Sequence, residues 1–455
     1  MEELINTGNT ATEVVTALSE YGDFSADMSA TEFVEEVNTA FPDADVSVND
    51  SATTLVSKIN NAKAPASDMK VLKFLHVSDT HGRTDSITEA VAQMTADNDI
   101  LALIHTGDIL GNVFDSIANN KTTLKPLSVI GNHDAVDKFG RNRPNMRKGM
   151  EGINDGVSWG CMEQITEGGE PYYHGCYWSK DFFINDSQTR KLRVIGIDQY
   201  DYTMVDGALD AGGSTYTNVV SQEQVDWLIG RLTSLSPNDY FIICMHDTPW
   251  VCGPSHRRQN DWCSSRLYYW GVSYLNVLLF PQIVKAYTQK EDRTNNPITG
   301  QDYSKKTTVT VDDDFSQGSP ATFLCFLCGH EHSDWHDYHY ETSYNDQLVF
   351  SIDTAQRGSG GDNSDIRLED STSGTRGSGS EYLRNCLSNS GNGVLMNLIT
   401  LDFARKTITL SRIGQYKAVA HDTSKGLSGD SSDPNSNYSA VERTTITFPF
   451  KKTQS

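Results

Sequence analysis

Leu75-His76-Val77-Ser78-Asp79-Thr80-His81-Gly82 is the stretch on which the fold turns. The run from Val71 to Val77 is apolar except for Lys73 and His76, and it predicts a buried strand. Asp79-x-His81 falls where that strand ends, so a carboxylate and an imidazole two residues apart can turn toward one small volume. Alone the pair is a weak signal, because Asp and His also serve turns.

The same arrangement recurs downstream. Leu101 to Thr106 leads into Gly107-Asp108, Leu127 to Ile130 into Gly131-Asn132-His133-Asp134, Phe241 to Met245 into His246-Asp247, and Phe323 to Cys328 into Gly329-His330-Glu331-His332. Open α/β sheets carry their sites outside the carboxyl ends of the strands, so these endings are expected to converge on one crevice. Ile87, Ala90, Val91 and Met94 form a helical stripe that returns the chain to the strand at Leu101 as a βαβ unit. Ser221-Gln-Glu-Gln224 opens another helix, with the stripe Val225, Leu228, Ile229 and Leu232. Val394 to Leu401, Lys406 to Ile413 and Thr444 to Phe450 alternate as strands and are expected to complete a second sheet layer.

The chain has 455 residues, enough for two or three domains. Residues 1–65 form one expected unit, a short-helix repeat for docking or assembly, and 66–455 the other. Thr10-Ala-Thr-Glu-Val-Val15, Ser29-Ala-Thr-Glu-Phe-Val34 and Ser51-Ala-Thr-Thr-Leu-Val56 resemble one another, and the first two open with the Ser/Thr-x-x-Glu capping box. Such short helices need a packing partner. Within the larger unit, 139–186 and 251–319 read as lids or substrate walls. They carry Tyr172-Tyr173-His174, Trp178, Trp262 and Tyr268-Tyr269-Trp270, together with His256-Arg257-Arg258. Arg257 or Arg258 is a candidate bidentate hydrogen-bond donor to an anionic group, with a solvated loop charge as the equal alternative. Gly358-Ser-Gly-Gly361 lacks the strand-to-helix setting of a phosphate cradle and reads as loop.

With 37 Lys+Arg against 60 Asp+Glu, the net charge of −23 disfavours a surface for duplex nucleic acid. No apolar run is long enough to span a membrane. The N-terminus lacks the basic and apolar regions of a secretory signal, which points to a cytoplasmic protein, with a virion component as the alternative. Cys244, Cys325 and Cys328 are expected in the core, although Cys325-x-x-Cys328 has the spacing of a metal or redox pair. Cys161, Cys176, Cys252, Cys263 and Cys386 lie in polar stretches where disulfides could form.

The ordered set Asp79-x-His81, Gly107-Asp108, Gly131-Asn132-His133-Asp134, His246 and Gly329-His330-x-His332 resembles the calcineurin-like metallophosphoesterase superfamily. The resemblance runs from Lys70 to His332 and departs at Gly111, where many members place a second Asp. It implies an α/β fold, a four-layer α/β/β/α sandwich, here with a small N-terminal helical-repeat module, holding two divalent or trivalent metal ions. By positional match, Asp79, His81, Asp108 and His332 would hold one ion. Asp108 would bridge to a second ion held by Asn132, His246 and His330. The mixed nitrogen and oxygen ligands suit Mn, Fe or Zn better than Mg or Ca, and Mn is the expected metal, with Fe or Zn as alternatives. His133 resembles the general acid, and Asp134 would orient its imidazole. His76 and His105 read as packed residues, and His336 and His339 are not expected to be ligands.

The function so implied is that of a phosphoric ester hydrolase, a phosphodiesterase or phosphomonoesterase that uses metal-activated hydroxide against a small or extended organic phosphate. Two alternatives stand beside it. One is a nuclease acting on single strands. The other is a phage-tail or other virion component that uses the domain for docking, with residues 1–65 meeting an assembly partner.

Overall fold

The computed structural model describes residues 5–18, 24–25, 27–41, 44–66, 69–135, 139, 143–162, 164–167, 170–173, 175–201, 220–247, 279–300, 309–329, 351–353, 395–414 and 441–447. The chain divides into two compact units. The smaller comprises Met1–Val71, Phe183–Arg190 and Leu401–Thr407, and the larger comprises the rest.

The smaller unit holds helices α1 (Ala11–Leu18), α2 (Ala30–Ala40) and α3 (Ala52–Ala66). Each is opened by a hydroxyl residue. The Thr10 amide donates to the Glu13 carboxylate at 2.8 Å, and the Ser29 amide to Glu32 at 2.8 Å while the Glu32 amide returns to the Ser29 hydroxyl. The Thr54 amide reaches the Ser51 hydroxyl at 3.1 Å. Ile5, Leu18, Val37, Phe41 and Ile59 are buried together, and this shared core stabilises helices too short to persist alone. Two asparagines lock the connections: Asn38 bonds both backbone groups of Val46, and Asn60 both of Ile5.

The larger unit begins with β1 (Val71–Val77), α4 (Asp85–Ala96), β2 (Ile100–His105), α5 (Gly111–Asn119), α6 (Lys121–Leu124), β3 (Leu127–Ser128) and α7 (Arg143–Ile153). Next come β4 (Ser158–Trp159), a separate hairpin of β5 (Gln164–Glu167) and β6 (Glu170–Tyr173), β7 (Trp178–Phe183), β8 (Lys191–Gly196), α8 (Gln222–Thr233) and β9 (Tyr240–Cys244). The remainder supplies α9 (Leu279–Thr288), a second hairpin of β10 (Ile298–Gly300) and β11 (Val309–Val311), then β12 (Thr322–Cys328) and β13 (Ser351–Asp353). β14 (Leu395–Asp402), β15 (Thr407–Gly414) and β16 (Val441–Thr447) close the order.

Two six-stranded sheets form the frame, ordered β16-β15-β14-β1-β2-β3 and β13-β12-β9-β8-β7-β4. β1 runs parallel to β2 and β2 to β3, while β8, β9, β12 and β13 run parallel in turn, as strands joined by crossover helices do. Alternation then assigns the faces. Leu75 and Val77 of β1 pack with Ile87 and Ala90 of α4, Val113 and Ile117 of α5, and Met146 and Met150 of α7. Phe74, on the opposite face, meets the ring of Phe182 in β7 at 5.2 Å. The second sheet does the same in mirror: Phe241 and Ile243 pack with Leu228 and Leu232 of α8 and Phe280 and Ile283 of α9. The layers therefore run helix, sheet, sheet, helix, and the α/β expectation is met. Among the described residues no helix is long and apolar enough to cross a membrane.

Three expectations need correction. The segment 139–186 is not a lid over its length. Within it, Met146, Met150 and Ile153 enter the first core, and Tyr177 and Trp178 are fully buried, the indole N–H of Trp178 donating to the Ser128 carbonyl at 2.8 Å. Arg147 secures this segment by donating to the Gly175 carbonyl at 2.7 Å and stacking on Trp159. Tyr177 and Trp178 are framework because they fill the end of the second sheet. The described part of 251–319 behaves likewise, with Leu279, Phe280, Ile298 and Val311 buried against that sheet. Residues 251–278 lie outside the described residues. The C-terminal strands, finally, add no new layer: they cover the edge of β1 that β2 leaves unpaired, the position where an exposed strand would be a liability. Cys161, Cys176, Cys244, Cys325 and Cys328 are buried and not in disulfides, and burial pushes the Cys325 thiol well above its ordinary range. Cys252, Cys263 and Cys386 lie outside the described residues.

Candidate metal centre

The ends of β1 and β2 carry the first half of the site. Beyond the strands the two loops stay zipped together. The amides of Asp79, His81 and Gly82 donate to the carbonyls of Gly107, Asp108 and Ile109 at 2.9 to 3.0 Å. To hold this course Asp79, His81, Asp108 and Leu110 all adopt left-handed backbone, with φ of 51°, 45°, 55° and 50°. Each such residue costs about 1–2 kcal/mol, a strain typical of functional loops. Gly107, at φ +100°, is required by contact as well, since a Cβ there would lie 2.5 Å from His246 Nδ1.

The remaining endings close on the same point. Asp108 Oδ1 accepts the His133 amide at 2.9 Å. His246 Nδ1 is 2.7 Å from the Thr106 carbonyl and therefore carries a proton. His246 Nε2 faces Asn132 Oδ1 at 3.0 Å and Asp108 Oδ1 at 3.5 Å. His81 Nε2 lies 3.5 Å from Asp108 Oδ2 and 3.9 Å from Asp79 Oδ1. Potential ligand atoms of Asp79, Asp108 and His246 all fall within 4.8 Å of one another, as do those of His81, Asp108 and His133. Asp79, Asp108, Asn132 and His246 are buried, whereas His81 and His133 are partly exposed and form the open side.

His330 and His332 lie outside the described residues, but the chain leading to them does not. The Gly329 amide donates to the His246 carbonyl at 2.9 Å, and a Cβ at Gly329 would meet Asp79 Oδ2 at 2.5 Å. β12 thus ends beside the end of β1. Also outside the described residues are His174, Arg257, Arg258, Trp262, His336 and His339.

Asp134 does not take the place expected of it. Its carboxylate accepts the amides of Ile109 at 2.9 Å, Leu110 at 3.0 Å and Gly131 at 3.0 Å, and so ties the β2 loop to the β3 loop. The cause is local geometry. Residues 132–135 are helical, and consecutive helical side chains diverge by about 100°, so Asp134 points away from the imidazole before it. Burial, then the nearby Asp108, push its carboxyl up to about 7 against the lowering effect of the three amides.

The electrostatics explain what the cluster needs. Burial alone would raise the Asp108 carboxyl, but His246, His81 and His133 hold it well below the usual range. Burial alone would lower His246, yet Asp108 and Asp79 raise it well above its ordinary value. A buried carboxylate pair survives only with compensating positive charge. With its Nδ1 proton given to Thr106, a neutral His246 turns a lone pair toward two oxygen acceptors, an arrangement suited to a cation. The donor set therefore fits a metal.

Below the cluster, His76 Nε2 pairs with the Thr106 hydroxyl at 2.9 Å and His105 Nε2 with the Thr80 hydroxyl at 3.0 Å. Burial holds both imidazoles down to about 3 and hence neutral. The two histidines are packing residues, as expected. Thr80 and Thr106 were not singled out in the sequence, although both stand inside the ligand blocks, at buried strand ends where a hydroxyl needs a partner.

Residues 72–279 match the family model described as calcineurin-like phosphoesterase. None of the curated proteins matches the chain in sequence. Among solved structures the chain is similar to a conserved uncharacterized protein, a predicted phosphoesterase, from Streptococcus pneumoniae TIGR4, at 9% identity over 76% of this chain and 91% of that one, with a TM-score of 0.25. It is similar to 5'-nucleotidase from Candida albicans SC5314 at 14% identity over 63% of this chain and 46% of that one, with a TM-score of 0.30. It is also similar to phosphopantetheinyl hydrolase from Mycobacterium tuberculosis, at 14% identity over 62% and 89% of the two chains, with a TM-score of 0.26.

Proposed function

Residues 72–279 of this chain are a calcineurin-like phosphoesterase domain, that of a metal-dependent phosphoric ester hydrolase, and from that premise we propose that it uses two metal ions to hydrolyse a phosphate mono- or diester. The observation that carries the reading is that Asn132 Oδ1 and Asp108 Oδ1 lie 3.0 and 3.5 Å from His246 Nε2, beside the second carboxylate Asp79. Asp79, His81, Asp108 and His332 would hold one ion, and Asp108, Asn132, His246 and His330 the other. When bound, such a pair supplies Lewis acidity that lowers the pKa of a water and offsets charge gathering on phosphorus. The mixed donors suit Mn, Fe or Zn, of which Mn is the ion used in the test below.

The chain's own groups then divide the work. Asp108 offers one oxygen to each half of the site: Oδ1 toward His246 and Oδ2 toward His81. The Thr106 carbonyl keeps the proton of His246 on Nδ1, so that Nε2 remains a donor of electrons. His133 stands at the open side with its ring 5.1 Å from that of His81, where it can hold a proton for the leaving oxygen. Asp134 fixes the backbone on which Asp108 and Asn132 sit.

The test is hydrolysis of p-nitrophenyl phosphate and of its bis ester by purified protein supplied with Mn, with metal counted by elemental analysis. Chelator and Asp108→Asn should each remove the activity. Fewer than one metal per chain after reconstitution would count decisively against the proposal.

A further inference from the structure

β8 runs parallel to β9, so the turn that follows β8 lies beside the end of β9, where His246 emerges. Gln199 and Tyr200 in that turn grip the residue next to His246. The Asp247 amide donates to Gln199 Oε1 at 2.6 Å, and Gln199 Nε2 donates to the Asp247 carbonyl at 3.2 Å. The Tyr200 hydroxyl shares its proton between both Asp247 oxygens, at 2.8 and 2.7 Å. All three residues are buried.

The grip is itself anchored. Asp198 accepts the amides of Tyr200 and Cys176, each at 3.0 Å, and the Gln224 side chain bonds both backbone groups of Asp198 at 2.8 Å. The Ser221 hydroxyl, which caps α8, donates to Asp201. Burying so many polar groups is costly unless each is satisfied, and a fully satisfied network is rigid. Packing alone did not require it, because apolar residues would fill the same space. What the network does fix is the backbone at Asp247, and through it the direction of His246. The Tyr200 ring stands 6.5 Å from the imidazole without bonding to it.

We propose that Gln199 and Tyr200 are positioning residues that act through Asp247 to set His246, and so tune the affinity of the ion that His246 and Asn132 would share. The inference rests on the two-metal reading above. The ion on the His81 side would be held from the zipped β1 and β2 loops, to which Gln199 and Tyr200 make none of these bonds. Loss of an outer hydrogen-bond partner of this kind weakens metal binding by about 10–100-fold.

The experiment uses the full chain as wild type, Tyr200→Phe and, in case that variant folds poorly, Gln199→Met. Mn binding is followed by titration with elemental analysis, and exchange of the Asp247 amide is followed in the metal-free protein. The expected result is two Mn in the wild type. In either variant one Mn should keep its affinity while the other weakens by about 10–100-fold. The Asp247 amide should exchange faster, and excess Mn should restore turnover with the substrate KM unchanged. Two Mn bound with wild-type affinities in both variants would overturn the proposal, and so would equal weakening of both ions. Wild-type protein that takes up no Mn would overturn the two-metal reading, and unchanged Asp247 exchange in Tyr200→Phe would separately overturn the clamp.

Discussion

His246 Nε2 and Asn132 Oδ1 face each other at 3.0 Å, although the proton of that imidazole is already engaged by the Thr106 carbonyl on the other nitrogen. Two acceptors at this distance need something positive between or upon them. Burial alone would lower His246, but Asp108 and Asp79 beside it raise it well above its ordinary value in the metal-free protein.

Metal uptake should therefore release protons. Asp108 and Asp79 favour the protonated form of His246, and a proton held on Nε2 must leave before that nitrogen becomes a ligand. Titrating Mn into metal-free protein at pH 7, in buffers of different ionisation enthalpy, should show release of about one proton per chain. A heat independent of buffer would contradict this.

His133→Ala should keep its metal and lose turnover. The residue stands at the open side, and removing an acid–base group costs on the order of 10²–10⁴-fold in kcat. If elemental analysis shows that an ion leaves with the imidazole, His133 is a ligand instead.

Asp134→Ala should act through structure rather than through proton transfer. Three buried amides would lose their acceptor, at about 1–3 kcal/mol for each group left unsatisfied. The expected signature is a lower melting temperature and a lower metal content. The remaining activity should keep the pH profile of the wild type.

His76 and His105 should each cost the metal-free protein stability as the solution becomes mildly acidic. His76 and His105 have folded values near 3 against an ordinary 6.5. Their contribution is complete above 6.5 and is lost as the pH falls toward 3, because only the unfolded chain takes up the protons. At pH 5 each should have cost about 2 kcal/mol. Urea unfolding of wild type and His76→Gln at pH 7 and pH 5 measures this: Asp134, raised to about 7, works in the opposite direction in both proteins, and the variant should lose about 2 kcal/mol less than the wild type on acidification.

Two glycine substitutions should have opposite signs. Gly107→Ala would thrust a methyl group against His246 and Gly131 at a left-handed position, a loss of about 3 kcal/mol or more. Gly230→Ala, within α8 and with nothing inside 4 Å, should gain about 0.5–1 kcal/mol. Thermal unfolding of the pair reads both.

The strand endings were legible because each couples an apolar run to a ligand-type residue, a pattern that local sequence carries without help. Hence Asp79, His81, Asp108, Asn132, His133 and His246 could be named, and they do meet. The role of Asp134 was not legible, since it depends on the helical turn at 132–135 and on amides some 24 residues away. The framework role of 139–186 escaped for a different reason. Aromatic residues in a long connection look alike whether they line a wall or, as with Tyr177 and Trp178, fill a core. Gln199 and Tyr200 carry no local signal at all, because their partner is 47 or 48 positions further on.

The first sheet is completed from the far end of the chain. β14, β15 and β16 lie beside β1, the strand that delivers Asp79, yet they are the last strands in the order. Synthesis is vectorial, so a nascent chain emerging from the ribosome displays the naked margin of β1 until some three hundred further residues have been made. A stop codon ahead of Leu395 would leave every described ligand encoded and that margin open to pairing with other chains, and its product should be found in inclusion bodies.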